Sequence, residues 1–586
     1  MQGLTVLCPR TSGASIPMPS YPDHLNADLL ERIPLGASVV LDVGCSTGAL
    51  GAAYRRLNPR ARLLGIEADP AAAQIAARRL DEVAVVDVEA DPLPFRLDRP
   101  IDCIIYGDVL EHMRDPWAVL GRQVEALADD GTILICVPNL DHWSFADRLL
   151  RGTWDYEPSG LLDETHLRWF STETMRKGLL ALGLAPCDVH PRVFDAPEAE
   201  AFTARIAPAL TALGVDPQAY ARRAAPLQHV WRVRRHPREL LTVAANMLQP
   251  VGGVSHVRVV YPLQALNSDP TVSARLVAGR EPVPIGGGEA PRVFVLHRPT
   301  LAGEQGAAIL RGLLSDGWLI VTEFDDHPDH FGMLDASDQF AFRGVHAVQT
   351  STPALADVLR PFNPEVAVFP NTVRALPDVR NFLDPNVLTV FFGALNREPD
   401  WAPLMPALNA VAEQAGDRLR FCVVHDRGFF DALRTPHKMF TPTCDYDAYL
   451  ALLGQCEISF MPLGDTPFNR AKSDLKFIEA GACRVASLAS HVVYAASIEE
   501  GRTGLLFRNP DELHERLRRL VAMPEVARGL GNAARSYVAG ERMLAYQVAE
   551  RVAWYRSLWA RRVELTNALY ARMLEMPRLA EGPAGA

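Results

Sequence analysis

Val39-Val-Leu-Asp-Val-Gly-Cys-Ser-Thr-Gly48 decides how the first part of this chain is read. Four apolar residues in five predict a buried strand, and the glycine-bracketed turn after it lets backbone N–H groups approach a ligand before a helix starts near Ala49. A dinucleotide fingerprint needs the G-x-G-x-x-G spacing. Here Gly44 and Gly48 are separated by three residues, and an acid, Asp42, stands two positions before the first glycine. A nicotinamide cofactor therefore ranks low, and the turn is read as a cradle for another ligand.

Working outward, Arg62-Leu-Leu-Gly-Ile-Glu-Ala-Asp69 is a second apolar strand ending in acids. In a doubly wound sheet, ligands sit at the carboxyl ends of the strands. A carboxylate about 20 residues beyond the glycine turn can accept both ribose hydroxyls, which selects Glu67. Asp69 is expected instead to cap the helix that begins at Pro70. A third strand over 83–86 ends in Asp87, which also suits a turn. The fourth strand leads into Ile101-Asp-Cys-Ile-Ile-Tyr-Gly-Asp-Val-Leu-Glu-His-Met-Arg-Asp-Pro116, with Asp115 and Pro116 as N-cap and first helical residue. Gly131 is expected to close that helix before a strand over 132–137. An aromatic-rich insert follows: His142-Trp143, Trp154-Asp-Tyr156, then Gly160-Leu-Leu-Asp-Glu-Thr-His-Leu-Arg-Trp-Phe170. Flat apolar rings beside His, Asp and Arg suit a sugar or another polyol, whose C–H faces stack on aromatics while its hydroxyls need directional partners. Trp169 and Phe170 are expected to be packing residues.

The glycine turn, Leu-Glu-His with its following Asp-Pro, and Leu-Asp-x-Thr-His-Leu-Arg-x-Phe together resemble small-molecule class I S-adenosylmethionine-dependent methyltransferases, including those encoded with polysaccharide-biosynthesis enzymes. The resemblance implies a Rossmann-like domain over 1–245, including a helical tail, that binds S-adenosyl-L-methionine. The implied cofactor set is Asp42, Gly44, Cys45, Gly48, Glu67, Asp87 at the adenine edge, and Asp108. His112 either orients cofactor or takes a proton from the acceptor; a packed histidine that fixes the loop is the equal alternative. Asp163 and His166 are assigned to the acceptor site. Methyl transfer from a sulfonium needs an in-line alignment and, for a hydroxyl acceptor, loss of its proton, so no metal is expected. The Arg-rich tail, Arg222-Arg223 and Trp231-Arg-Val-Arg-Arg-His-Pro-Arg238, reads as a contact for anionic lipid or a diphosphate, or as a solvated last strand or helix.

Gln249-Pro-Val-Gly-Gly253 reads as a linker, after which a strand over 256–261 opens a new α/β pattern. Short apolar strands recur at 293–296, 318–322, 347–349 and 366–369, then restart at 388–392, 420–424, 458–461, 484–487 and 504–507. Val348-Gln-Thr-Ser-Thr352, Val368-Phe-Pro-Asn371 and Phe391-Phe-Gly-Ala-Leu-Asn-Arg397 resemble group 1 (family 4-like) glycosyltransferases of the GT-B fold. That resemblance implies two tandem Rossmann-like domains, an acceptor subdomain over 253–385 and a nucleotide-sugar donor subdomain over 386–540, followed by a C-terminal helix and tail over 541–586. Arg397, Lys472 and Lys476 would neutralise the leaving nucleoside diphosphate, with Ser473 at a helix start assisting and Lys476 acting in catalysis. Glu479 matches the second glutamate of the family's E-x7-E motif, which contacts the nucleotide ribose; the first falls on Ala471, a departure that puts sugar recognition or activity in question. Asp325, Asp326 and His327 read as acceptor-side contacts or as a turn held by Pro328. The pattern from Glu541 to Leu574 places Leu544, Val548, Val552, Tyr555, Trp559, Val563 and Leu569 on a helix expected to brace the first Rossmann unit, with oligomerisation or peripheral membrane contact as alternatives.

Composition agrees with an ordinary globular α/β chain. At 586 residues it is too long for one core, and 48% hydrophobic with 22% charged residues leaves no apolar run near the ~20 needed to cross a bilayer. The first 20 residues lack a signal-peptide pattern, so a cytoplasmic location, at most at the inner face of the membrane, is expected. Nine cysteines without a C-x-x-C pair indicate neither a disulfide framework nor a zinc site, and a net charge of −11 argues against a nucleic-acid surface. The expectation is a bifunctional methyltransferase and hexosyl or deoxyhexosyl glycosyltransferase acting on a glycan or lipid-linked saccharide. The alternatives are a non-catalytic glycan- or nucleotide-binding second half, or a scaffold with both sites vestigial.

Overall fold

The computed structural model describes residues 25–247, 253–277, 290–332, 334, 337–380 and 384–574. They form two compact units. The first holds the described residues up to Arg55, with Pro59–Glu239 and Ser268–Thr271; the second holds Arg56–Asn58, Leu240–Asn267 and the described residues from Val272 on.

The first unit is built on one sheet of seven strands: β1 (Val39–Val43), β2 (Arg62–Ile66), β3 (Glu82–Ala84), β4 (Ile101–Gly107), β5 (Leu127–Pro138), β6 (Ala185–Arg192) and β7 (Gln228–Arg234), in the order β3-β2-β1-β4-β5-β7-β6. All five residues of β1 are buried, because parallel neighbours cover both edges and helices cover both faces. The order reverses between β1 and β4, which opens a crevice at their carboxyl ends. Asp69 and Asp115 cap their helices through their side chains, each followed by a proline, as read from the sequence. Two expectations fail here. Gly131 does not close the helix, which ends at Val124; it lies within β5, whose pairing with β4 shifts register between Ile101 and Cys103. The Arg-rich tail does supply a last strand, β7, but that strand is not a solvated one: it runs antiparallel between β5 and β6, while Arg222, Arg223 and Arg238 outside it are exposed. Arg232 and Arg234 are buried in β7, and Arg232 pairs with Asp188 at 3.3 Å.

The second unit carries two all-parallel sheets of six strands. One contains β8 (Leu241–Asn246), β9 (Val272–Leu276), β10 (Arg292–His297), β11 (Leu319–Glu323), β12 (Ala347–Thr350) and β13 (Val366–Val368), ordered β13-β12-β11-β10-β8-β9. The other contains β14 (Leu388–Gly393), β15 (Leu419–Val424), β16 (Lys438–Thr441), β17 (Ile458–Met461), β18 (Ala486–Ser490) and β19 (Gly504–Phe507), ordered β16-β15-β14-β17-β18-β19. Both are doubly wound Rossmann-type sheets, so the expected tandem pair is present. Its opening differs from the sequence reading: the first strand is β8, while His256–Val260 and Tyr261–Asn267 are helical. The linker expected at 249–253 lies outside the described residues except for Gly253, where a Cβ would stand 2.4 Å from the Tyr446 ring. The segments 1–20 and 581–586, read above as leaderless and as a tail, also lie outside them.

The C-terminal helices brace the first of these sheets, as expected. Tyr555 in helix Val548–Ala560 donates to Gln349 Oε1 at 2.8 Å, and Gln547 Nε2 donates to the Pro370 carbonyl at 2.8 Å. Arg551 lies 4.2 Å over the Phe369 ring. Among the described residues, no helix is long and apolar enough to cross a membrane, and the described cysteines are free.

Candidate functional site

Backbone geometry shapes the crevice of the first unit before charge does. Gly44 and Gly48 take φ of 73° and 75°, a region that favours glycine. Both are also closely faced: a Cβ on Gly44 would stand 2.3 Å from Val109 Cγ2, and one on Gly48 3.1 Å from the Ala76 Cα. The Ser46 N–H donates to Glu67 Oε2 at 2.7 Å, and the Asp69 N–H donates to Glu67 Oε1 at 2.9 Å. The carboxylate selected from the sequence is thus held against the turn. Asp42 is buried two residues before the turn, where burial and the nearby Glu67 raise its carboxyl to about 7.

Three other members of the expected cofactor set behave differently. The Cys45 thiol packs behind the turn, since a Cβ on Gly65 would stand 2.7 Å from its Sγ, and burial pushes its pKa up. Asp87 is exposed and accepts the Glu89 N–H at 2.9 Å, which is the turn role. Asp108 sits at the end of β4 with φ 57° and accepts from the Gln228 side chain; desolvation raises its carboxyl.

The acceptor-side residues converge. Glu111 and His112 lie in the short 3-10 turn Leu110–His112, and the Leu167 and Arg168 amides donate to the Glu111 carbonyl at 2.8 and 3.0 Å. These bonds bring the insert against the turn. The His112 and His166 rings meet edge-on with centroids 4.8 Å apart. Asp163 Oδ1 accepts both the Thr165 hydroxyl at 2.6 Å and its N–H at 2.8 Å, and Thr165 Oγ1 lies 2.9 Å from His112 Nδ1. Desolvation works against the charge on Asp163, but the Thr165 bonds and the two histidines hold its carboxyl below the usual range. Asp163 thus positions His112 through Thr165, a role the sequence reading did not foresee. Glu111 was missed altogether, although it stands inside the quoted Leu-Glu-His. It is 1% exposed, neither of its carboxylate oxygens has a hydrogen-bond partner, and burial together with Asp108 raises its carboxyl well above the ordinary value. Phe170 packs in the core, as expected, while Trp154 and Tyr156 stay exposed.

In the second unit, cations gather at the carboxyl ends of β10, β11, β14 and β17. Arg397 donates to Asn469 Oδ1 at 3.0 Å and to Asp400 Oδ2 at 3.2 Å. Lys472 Nζ donates to Asp326 Oδ1 at 2.6 Å and lies 4.1 Å over the Phe468 ring. Lys476 Nζ donates to the Gly393 carbonyl and lies 3.3 Å from the Tyr449 hydroxyl. Desolvation lowers both lysines, and the charge of Arg397 lowers them further. Ser473 accepts from Asn371 Nδ2 at 2.8 Å, and Glu479 is buried with the Tyr446 hydroxyl donating to it at 2.6 Å. Arg298 holds Asp325 at 2.7 Å, keeping its carboxyl below the usual range although burial opposes this. His297, the last residue of β10, escaped the sequence reading; it is buried with no hydrogen-bond partner on either ring nitrogen. A histidine that ends a sheet strand in this position was the available signal.

Residues 18–188 match the family model of a methyltransferase domain. Trans-aconitate 2-methyltransferase of Klebsiella pneumoniae is 33% identical over 118 residues, 20% of this chain and 45% of that protein. A ubiquinone biosynthesis O-methyltransferase of Cereibacter sphaeroides is 25% identical over 178 residues, 29% of this chain and 70% of that protein. The chain spans less than half the length of the first curated relatives it matches, between 40% and 48%. Among solved structures, a glycosyltransferase from Rickettsia africae is similar at a TM-score of 0.40 and 12% identity, over 55% of this chain and 99% of that one. The stretch that matches the methyltransferase domain is followed by two tandem Rossmann-type sheets.

Proposed function

We propose that the first unit methylates a hydroxyl of a saccharide acceptor with S-adenosyl-L-methionine, and that the second transfers a hexosyl or deoxyhexosyl group from a nucleotide sugar to a glycan. The observation that carries the first half is the Gly44–Gly48 cradle with Glu67 held against Ser46. A Cβ on either glycine would run into the protein itself, Val109 at Gly44 and Ala76 at Gly48, so the turn needs glycine at both positions to keep its shape. S-Adenosyl-L-methionine, when bound, supplies an electrophilic methyl group. Glu67 offers oxygens to ribose hydroxyls, and Asp42 offers a carboxylate to a positively charged ligand. The acceptor hydroxyl gives up its proton at the cluster of Glu111, His112 and His166, with the exposed Trp154 and Tyr156 available to stack on a sugar.

The second half rests on four cations, Arg298, Arg397, Lys472 and Lys476, gathered where a Rossmann pair takes its ligand. Such a cluster suits the charge that develops on a leaving nucleoside diphosphate. A second reading, a nucleotide- or glycan-binding module without turnover, is favoured by Ala471 in place of a glutamate and by the pairing of Lys472 with Asp326.

Calorimetric titration of the full chain tests both halves. Micromolar binding of S-adenosylmethionine is expected, together with binding of one of UDP, GDP or TDP that Lys476→Ala removes. Folded protein that binds no S-adenosylmethionine would overturn the first half, and absence of nucleotide binding the second. Nucleotide binding with no sugar transfer to any offered acceptor would select the non-catalytic module.

A further inference from the structure

We infer that Glu111, His112 and His166 form a binding site for one divalent transition-metal ion, which holds the acceptor oxygen in the methyltransferase unit. The inference rests on the methyltransferase reading for its consequence, though not for its site. One ligand atom from each of the three residues lies within 4.8 Å of the other two. Small side-chain rotations bring such a set to the ~2 Å metal–ligand distances of imidazole and carboxylate.

The second observation is independent of that clustering. A carboxylate that is 1% exposed and has no hydrogen-bond partner on either oxygen among the described residues calls for a compensating group. The hydrogen bonds of the two imidazoles leave a lone pair on each. His166 Nδ1 lies 3.3 Å from the Leu161 carbonyl, which only accepts, so the ring proton sits on Nδ1 and Nε2 keeps its lone pair. For His112 the relay runs through Thr165. The Thr165 hydroxyl gives its only hydrogen to Asp163 at 2.6 Å, so its oxygen accepts from His112 Nδ1 at 2.9 Å, again leaving Nε2 free. A carbonyl behind one histidine and a carboxylate-anchored hydroxyl behind the other are the outer partners that metal-bound imidazoles use.

Two imidazoles and one carboxylate select a first-row divalent ion such as zinc, cobalt, manganese or iron over magnesium or calcium, which prefer oxygen ligands. Three protein ligands leave open positions. Val109, two residues before Glu111, packs on Gly44, so the turn that carries two of the three ligands adjoins the cofactor cradle. An acceptor hydroxyl coordinated there becomes more acidic and loses its proton to solvent before it receives the methyl group. The ion then takes over the activation of the acceptor hydroxyl that was placed above at the cluster of Glu111, His112 and His166.

The test uses full-length, untagged protein stripped with a chelator and titrated with cobalt(II), followed by its visible absorption, and with zinc by equilibrium dialysis and elemental analysis. One ion per chain is expected. His166→Ala and Glu111→Gln should abolish the binding, and Thr165→Val should weaken it by roughly 10–100-fold, the range for loss of an outer partner. His112 is exposed, so His112→Asn serves as the variant least able to disturb the fold, and it too should lose the ion. S-Adenosylmethionine affinity is measured on every sample. Wild type that binds S-adenosylmethionine but no ion, or His112→Asn and Glu111→Gln that bind the ion like wild type, would overturn the inference. An ion bound by protein that ignores S-adenosylmethionine would uphold the site and overturn the methyltransferase reading instead.

Discussion

At the ends of β1 and β4 the buried acids Asp42 and Glu111 have no cation paired with them among the described residues, whereas at the ends of β14 and β17 the cations are already engaged. Asp42 and Glu111 are buried with their carboxyls raised, and neither carboxylate oxygen of Glu111 has a hydrogen-bond partner among the described residues. Arg397, Lys472 and Lys476 each hold a carboxylate, an amide oxygen or a carbonyl. The asymmetry has a chemical cause. A buried carboxyl escapes the cost of an unpaired charge by keeping its proton, so it can wait without a counter-ion for a cationic ligand. An arginine cannot do this and a lysine does it at greater cost, so a cation cluster needs internal partners until an anion arrives. The first site should therefore bind by shedding protons, and the second by exchanging partners.

The strongest test of the open site removes its geometry. Gly44→Ala forces a left-handed φ on an L-residue, costing roughly 1–2 kcal/mol. It also drives a methyl into Val109, for about 1–3 kcal/mol more. S-Adenosylmethionine affinity should fall by more than roughly 30-fold, measured by calorimetry. Gly183→Ala is the control: its φ is 71°, but nothing lies within 4 Å of the added carbon. It should lower the unfolding free energy by about 1 kcal/mol and leave S-adenosylmethionine binding unchanged. Equal effects at both glycines would mean that strain alone, and not a shaped cradle, distinguishes Gly44.

Asp42 provides the next largest effect. With its folded carboxyl near 7 against an ordinary value of 3.8, the native state holds a proton that the unfolded chain has lost between these values. Its contribution to stability therefore diminishes as pH rises from about 4 to 7 and is constant above. Affinity for a positively charged ligand runs the other way, because the ionised form attracts it. S-Adenosylmethionine binding should tighten by up to about tenfold between pH 6 and pH 8, with proton release seen as a buffer-dependent heat. Asp42→Asn should flatten that profile. An unchanged slope in the variant would move the titration to another group.

What could be read from the sequence follows from how locally each feature is encoded. The turn after β1, the selection of Glu67 and the caps at Asp69 and Asp115 each depend on a few adjacent residues, and the structure has the local features in place. His256–Val260 was misread because Val-Arg-Val-Val carries the β-branched pattern of a strand, yet its burial in a helix, with Arg258 clasping Glu323 at 2.8 Å, overrides that preference. The burial of β7 escaped, although a last strand was among the readings, because its arginines look like surface charge and only the antiparallel neighbour carrying Asp188 explains it. Glu111 escaped for a third reason. Its importance arises where His166, far along the chain, meets the 3-10 turn, and no local pattern records that meeting.

The smallest effect tests the engaged site. Asp326 shares a 2.6 Å bond with Lys472 and is 3.7 Å from Arg298, with both members of the Lys472 pair mostly shielded from solvent. If ligand binding in the second unit exchanges partners, Asp326 is a competitor of the incoming diphosphate. Asp326→Asn keeps the shape and removes the competition, so affinity for the nucleoside diphosphate should rise about two- to fivefold, in line with the ~0.5–1 kcal/mol of a partly shielded ion pair. Lys472→Met, in contrast, should weaken nucleotide binding while leaving Asp326 unpaired. A loss of affinity in Asp326→Asn would show that the carboxylate itself touches the ligand. The pair would then belong to the binding surface, and the contrast between an open first site and a guarded second one would no longer hold.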